Sequence, residues 1–170
     1  LSTGTDTAGI FITGTDHLTV GSVAVSVTQM NADASTTVMT DGAQSGLTTL
    51  SNNGDIVLST VNGVIVINQG VVAQGAGNIL LAANGSNNDL TVNADINSST
   101  GHITLMAADA ISINADVSTA DSGTISIDAQ GSDLVMAGTS DITATDSSVR
   151  LSAANNIALG NITAMDVSVL

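Results

Sequence analysis

The chain has 170 residues, and its fifteen acidic residues, all Asp, against a single Arg give a formal net charge of −14. This charge repels phosphate backbones and anionic lipid surfaces, which excludes nucleic-acid binding and membrane insertion as functions. With one aromatic residue, no Cys and no Pro, the core must be aliphatic, and disulfides and thiolate metal sites are excluded. The content of 43% hydrophobic and only 9% charged residues also disfavours a disordered chain.

The N-terminal third, residues 1–45, predicts less regular β-coils. One coil is expected from alternating apolar residues, with Val25 and Val27 starting the next. The segment from Asn31 to Gly46, rich in Ala, Ser, Thr and Asp, predicts a looser coil or a bulging loop. The apolar positions of that first coil are Ile10, Ile12, Leu18, Val20 and Val23.

From residue 46 to residue 170 the chain repeats a unit of two short alternating apolar pairs followed by one single apolar position. Alternation over three to five residues, separated by corners too short for a helix, is typical of strands wound into a coil. Three recurring apolar columns therefore predict three sheets. The first apolar residues of the successive strands are Ile56, Ile79, Ile103, Ile125 and Val149 in the first column; Ile65, Leu90, Ile111, Leu134 and Ile157 in the second; and Val71, Ile96, Val117, Ile142 and Ile162 in the third.

These observations predict an all-β fold, a right-handed parallel β-helix (β-solenoid) with three sheets and coils of about 18–25 residues. A tandem of β-sandwiches is the rival fold, but such domains normally carry aromatic core anchors and Pro-marked turns. We expect one β-solenoid segment over residues 1–170, with about seven or eight coils stacked at roughly 4.8 Å. Because a rod has open edge strands at its ends, the segment is expected to belong to a longer chain or a fibre.

Three asparagines, Asn68, Asn93 and Asn114, each follow the second apolar pair of successive coils. Stacked side chains at these positions predict a structural asparagine ladder in which the amides bond one another. Asn also tolerates the left-handed conformations that tight corners need, so the corner backbone alone is an alternative reason for the pattern.

Asp95, Asp116 and Asp141 precede the third apolar position in three consecutive coils. Carboxylates stacked at strand spacing repel one another by about 1 kcal/mol per pair even in water. Calcium, a hard cation that prefers oxygen ligands, would relieve this repulsion, and these three residues are the candidate metal site. The alternative is a row of solvated corner residues without any cofactor, since no known calcium-loop motif is present.

His17 and His102 lie at corner or outward positions in distant coils, without Cys, Glu or a paired His nearby in sequence. This isolation excludes a zinc or histidine-based catalytic site, and no nucleophile-elbow motif occurs. The chain is therefore not expected to be an enzyme. Carbohydrate-active β-helix enzymes need charged groups and aromatic sugar platforms that this composition lacks.

The segments GDIVLST, GNILLAA, GHITLMAADAISINADV, GTISIDAQG and NIALGNITA resemble the repeats of filamentous-haemagglutinin-type exoproteins of bacteria, over roughly Gly46 to Leu170. The resemblance implies a right-handed parallel β-helix, secretion to the bacterial cell surface or exterior, and a role as a stiff stalk or fibre. The expected partners are copies of the chain stacked end to end or neighbouring repeats, together with a host or matrix surface. The alternative function is an adhesive binding module that uses protruding loops, at Gly85 to Asp89 or Asn31 to Gly46.

Overall fold

The computed structural model describes the backbone of residues 2–3 and residues 9–50 and 53–170, and within them it is an all-β parallel solenoid of about five turns. No helix occurs in these residues, and therefore none that could span a membrane. Apart from two longer strands near the C-terminus, the chain winds as strands of two to five residues separated by short corners. Alternating apolar residues place one side of each strand in the interior, and the strands of successive coils bond one another.

Three faces surround the core. The first face contains the longest regular strands: Ile10–Gly14, Ile56–Thr60, Ile79–Ala83, Ile103–Ala107 and Ile125–Ala129. The second face is a six-stranded sheet of Leu18–Val20, Ile65–Ile67, Leu90–Val92, Ile111–Ile113, Leu134–Met136 and Ile157–Ala158. The third face contains Ser2–Thr3, Leu47–Thr49, Val71–Ala73, Ile96–Ser98 and Val117–Thr119.

Two long strands, Asp141–Ala153 and Asn161–Val169, run from the third face around a corner onto the first. They join both faces into one twelve-stranded sheet. The pairing between these two strands is irregular between Ala144 and Ser148, where Asp146 has a positive φ of 59°. This irregularity lets a continuous strand turn the corner.

The predicted columns are confirmed in register. Each residue of the first column pairs with its equivalent in the next coil, from Ile56 to Val149, and the second and third columns do the same. The inward side chains from Ile56 to Leu151 are almost completely buried, and Ile157 and Ile162 of the last coil are partly buried. Leu159 completes the apolar pair that begins with Ile157, and the sequence predicts that it points inward, but it lies beyond the end of its strand and is 47% exposed.

The expected first coil is wrong beyond Val20. The third position of that coil is occupied by Leu47, which pairs with Val71, and not by Val23. Residues between Gly21 and Gly46 leave the solenoid as an antiparallel hairpin, built from Ser22–Val23 paired with Gln44–Ser45 and Ser26–Met30 paired with Thr36–Thr40. Val25 and Val27 therefore lie in a hairpin arm and start no coil.

The hairpin also explains why the coils number about five and not seven or eight. The six strands of the second face span about 24 Å at a spacing of 4.8 Å, which is shorter than the expected rod of about 35 Å. The residues that the sequence predicts to form further coils lie in the hairpin instead, outside the stack of coils.

Candidate functional site

At the corners before the strands, side chains of one coil accept hydrogen bonds from backbone amides of the next coil. These bonds form a row along the solenoid axis, here called a relay. At the corner before the first face, Asp55 Oδ1 accepts the backbone N–H of Asn78 at 2.8 Å, and Asn78 Oδ1 accepts that of His102 at 2.9 Å. His102 Nδ1 in turn accepts the N–H of Thr124 at 3.1 Å. Each side chain therefore satisfies the amide of the equivalent residue one coil further on, which strand pairing alone leaves open at a corner.

The candidate calcium residues form the same kind of relay before the third face. Asp95 Oδ1 accepts the N–H of Asp116 at 3.2 Å, and Asp116 Oδ1 accepts that of Asp141 at 2.9 Å. All three residues are exposed. Among the described residues no group of three or more His or Asp side chains could hold a metal ion. The structure thus stacks these carboxylates along the axis and gives them amide partners, without gathering them into a metal-binding group.

The three asparagines after the second face are joined side chain to side chain. Asn93 Nδ2 donates to Asn68 Oδ1 at 2.9 Å, and Asn114 Nδ2 donates to Asn93 Oδ1 at 2.9 Å. The row runs through three coils and stops where Ala137 takes the equivalent position. Its members are exposed, and their polar groups serve one another, so the arrangement is structural.

Both histidines act as corner acceptors in place of Asp. His17 Nδ1 accepts the N–H of Val64 at 3.1 Å, as His102 Nδ1 does for Thr124. Because Nδ1 accepts in each case, the ring proton must lie on Nε2. His17 Nε2 is 3.5 Å from the carboxylate of Asp16. The two rings lie at different corners, and the structure does not bring them together.

The two loops named as adhesive candidates differ in kind. At Gly85 to Asp89 the chain folds tightly, with Gly85 at a φ of 91° and Asn88 only 7% exposed. Asn88 Nδ2 donates to Asn62 Oδ1 at 3.0 Å and to the carbonyl of Asn84 at 2.7 Å. This loop is a hydrogen-bonded corner of the solenoid. Asn31 to Gly46, in contrast, contains the turn and second arm of the hairpin.

The hairpin stands clear of the solenoid. Residues 22–30 and 32–45 are all exposed, and the exposed fractions of Met30 and Val38 reach 75% and 64%. At the turn, Asp33 accepts hydrogen bonds from the Ser35 hydroxyl at 2.6 Å and from the Ser35 N–H at 3.0 Å. These bonds hold the pKa of the Asp33 carboxyl below its usual value, the hydroxyl bond contributing most. Ala34 adopts a positive φ of 68° to close the turn.

Sequence reasoning missed this surface although a signal was present. Alternating Val residues precede Asn31, a turn of small residues and Asp follows, and Val38 and Met39 continue after it. Two such runs around a five-residue polar turn are typical of a β-hairpin. The segment between Gly21 and Gly46 also contains no Ile or Leu, the residues that fill most inward positions of the coils.

Comparisons with protein families, with curated proteins and with solved structures found no match to this chain. The structure itself shows a parallel β-solenoid of repeated coils, which is consistent with a β-helix repeat, and no family match identifies the chain as a filamentous-haemagglutinin repeat.

Proposed function

We propose that the chain is a structural segment of a secreted fibrous or cell-surface bacterial protein, where it forms part of a stiff rod or extracellular filament. The observation that carries the proposal is the parallel ladder, which runs in register on three faces from Ile10–Gly14 to Asn161–Val169. Backbone bonds and corner relays all connect one coil to the next. Such stacked repeats depend on their neighbours, which makes a rod that extends by adding coils.

The partners in this proposal are copies of the chain stacked end to end or neighbouring repeats of the same protein. The last strand keeps register with the strand before it, with Val167 opposite Val149 and Val169 opposite Leu151. Val149 and Leu151 are buried, but Val167 and Val169 are 47% and 46% exposed. A further coil would cover these inward positions and pair the open edge. The resemblance to filamentous-haemagglutinin repeats supports the bacterial surface or exterior as the location.

The proposal includes no catalytic role and no required cofactor. The side chains that would be the first candidates for chemistry, His17, His102 and Asp116, all accept backbone hydrogen bonds at corners. These hydrogen bonds stabilise the solenoid, and this contribution to stability explains why the three residues lie at the corners. Host or matrix attachment, where it occurs, would then reside outside the regular coils.

Electron microscopy and sedimentation of the purified chain over a range of concentrations, with and without calcium, test the rod. We expect filaments whose amount rises with concentration, because end-to-end stacking is a bimolecular step. Val167→Asp should abolish them by placing a charge at the stacking edge. Val61→Asp is the matched control, since Val61 is 62% exposed on a corner of the second coil. Particles that stay single at every concentration would contradict self-stacking and leave the chain a spacer between neighbouring repeats.

A binding module remains the second candidate, and the exposed hairpin is the observation that favours it. Replacing residues 21–46 by a three-residue corner copied from Asn114 to Asp116 would connect Val20 to Leu47 as in a regular coil. If attachment of the chain to a host or matrix surface disappears while the solenoid still unfolds cooperatively, the hairpin carries adhesion. Unchanged attachment would rule out this role for the hairpin.

A further inference from the structure

The root of the hairpin and the first coils line an apolar cavity of about 210 Å³ that is open to solvent on one side. Its wall includes Val23 and Gln44, which are cross-strand partners in the hairpin. Its floor is made of inward side chains from all three faces, namely Ile12, Leu18, Val20, Leu47 and Leu58. In the next three coils a three-residue corner, such as Asn114 to Asp116, occupies the position that the hairpin takes in this coil.

The lining selects an apolar occupant. Among the residues that the structure describes, the cavity lining includes no charged side chain, and its polar side chains are those of Thr19 and Gln44. The Gln44 amide makes a long hydrogen bond of 3.4 Å to the Gly42 carbonyl, which leaves it able to turn toward a ligand. An aliphatic cavity of about 150 Å³ in another protein binds benzene. A cavity of 210 Å³ therefore has room for one branched aliphatic or aromatic side chain.

The hairpin beside the cavity has open strand edges. Among the described residues its arms form sheets of only two strands, so each arm pairs on one side. The strands Ser22–Val23, Ser26–Met30, Thr36–Thr40 and Gln44–Ser45 carry no charge, no Lys and no Pro. Charged residues, Lys in particular, and Pro are the features by which proteins normally block strand addition at an edge, and these strands lack them. An extended peptide can therefore bond this edge through its backbone, with a neighbouring pocket to select a side chain.

Charge indicates which kind of strand fits. Asp16 precedes Leu18 of the cavity floor, and Asp41 donates its N–H to Val25 on the opposite arm at 2.9 Å. The only cationic side chain that is always charged, Arg150, belongs to the first face five strands away, about 24 Å along the axis. The surroundings of the hairpin root are thus acidic within a chain of net charge −14. A second copy would bring the same negative charge, whereas a basic segment would be attracted.

We propose that the hairpin root is a docking site for an extended basic segment of another protein, which adds as a strand to the hairpin edge and inserts one aliphatic side chain into the cavity. The two parts have separate tasks. Backbone pairing and charge attract many extended basic chains, and the cavity selects those with an aliphatic residue at the right position. This inference goes beyond the structural role of the coils and stands whether or not the rod stacks on itself.

A fluorescent synthetic peptide tests the site on the complete chain. The probe alternates Thr and Val, with one central Leu and Lys at both ends, and its binding is followed by fluorescence anisotropy. One comparison peptide has Gly in place of the central Leu, and a second has Asp in place of both Lys. We expect each comparison peptide to bind at least about tenfold more weakly, which corresponds to about 1.4 kcal/mol. Equal binding of the Leu and Gly peptides would overturn the proposal, because the cavity would then select nothing.

Two matched variants separate the cavity from general attraction between charges. Val23→Asp places a carboxylate in the cavity wall, and Val61→Asp adds the same charge at the corner after Ile56–Thr60, outside the cavity lining, the two valines being 63% and 62% exposed. Val23→Asp should weaken the probe about tenfold or more, and Val61→Asp should leave it unchanged. Equal probe affinity in the natural chain and in both variants would overturn the proposal, because the binding would then be a nonspecific attraction between charges. A dimer of the chain that Val23→Asp abolishes would overturn it too, since the occupant would then be a second copy.

Discussion

The regular coils and the hairpin share Val, Ala, Ser and Thr, but Ile and Leu occur in the coils and not in the hairpin, and the two regions fold in opposite ways. In the coils, Ile103 and Leu105 point inward and are about 1% and 0% exposed, with parallel neighbours on both sides. In the hairpin, Val27 is 56% exposed and its strand pairs with one antiparallel neighbour. Alternation of apolar residues is common to both regions.

The difference shows that alternation alone does not place a strand in a solenoid. A coil strand is stabilised because an Ile or Leu recurs at the same position one turn later, which gives it a partner to stack upon. The hairpin has no such recurrence, and its Val and Met side chains lie in solvent. A free two-stranded hairpin is marginal in water. The hairpin is therefore the region of the chain whose structure a partner would change most.

Truncation of an apolar side chain should give the largest difference between the coils and the hairpin in the free energy of unfolding. Leu105→Ala takes several methyl and methylene groups from a fully buried site in a central coil, so we expect a loss of about 3 kcal/mol in the free energy of unfolding. Val27→Ala in the hairpin should change it by less than about 0.5 kcal/mol. Denaturation by urea measures both. A similar loss in the two variants would mean that the hairpin packs against the solenoid in solution.

The close approach of backbone atoms in neighbouring coils should give the next largest difference in stability between the coils and the hairpin. A Cβ atom on Gly101 would fall inside the van der Waals radius of the Gly77 carbonyl oxygen one coil earlier, and backbone cannot move away as a side chain can. Gly101→Ala should cost about 2 kcal/mol through this overlap. Gly42→Ala, in the hairpin, meets nothing within 4 Å and serves as the control. Equal thermal midpoints of the two variants would show that the coils are not stacked this closely.

The asparagine row should contribute less. Asn93 makes both of the side-chain hydrogen bonds in the row, so Asn93→Ala removes two bonds and should lower the free energy of unfolding by about 1–2 kcal/mol. Asn68→Ala removes one bond and should cost about half as much. Thermal unfolding of both variants gives the ratio. A cost for Asn68→Ala that equals the cost for Asn93→Ala would mean that the asparagines act separately through their own corners.

The register of the coils could be predicted from the sequence because one residue in each strand repeats at a nearly constant interval. Ile56, Ile79 and Ile103 define their column without any structural knowledge. The hairpin could not be placed in this way, because Val23 and Val27 also satisfy the alternation of a coil. Alternation alone does not show that their partners, Gln44 and Met39, lie 21 and 12 residues further along the chain. The corner relays were also beyond prediction, because the bond from His102 to Thr124 depends on how two corners stack.

Asp116 distinguishes an amide acceptor from a calcium ligand. Asp116→Asn keeps a side-chain oxygen for the Asp141 N–H and removes like charge, so the stability should stay equal or rise slightly. Asp116→Ala loses the acceptor and should cost about 1 kcal/mol. Thermal unfolding is measured with calcium and with chelator. A midpoint that calcium raises in the natural chain but not in Asp116→Asn would establish the metal role in place of the structural one.

The smallest effect should appear at the hairpin turn on acidification. The pKa of Asp33 is lowered in the folded hairpin by the Ser35 hydroxyl and then by the Ser35 N–H. Since the folded pKa is the lower one, this contribution is present above the unfolded pKa and is lost as the pH falls through the folded value. The Ser35 amide resonance in NMR spectra should therefore shift with pH in the acid range. Asp33→Asn keeps an acceptor without a titrating proton and should abolish the shift, whereas Asp41→Asn, further along the second arm, should leave it in place. Persistence of the shift in Asp33→Asn would mean that another carboxylate governs the turn, and that the hairpin is less independent of the coils than its exposure indicates.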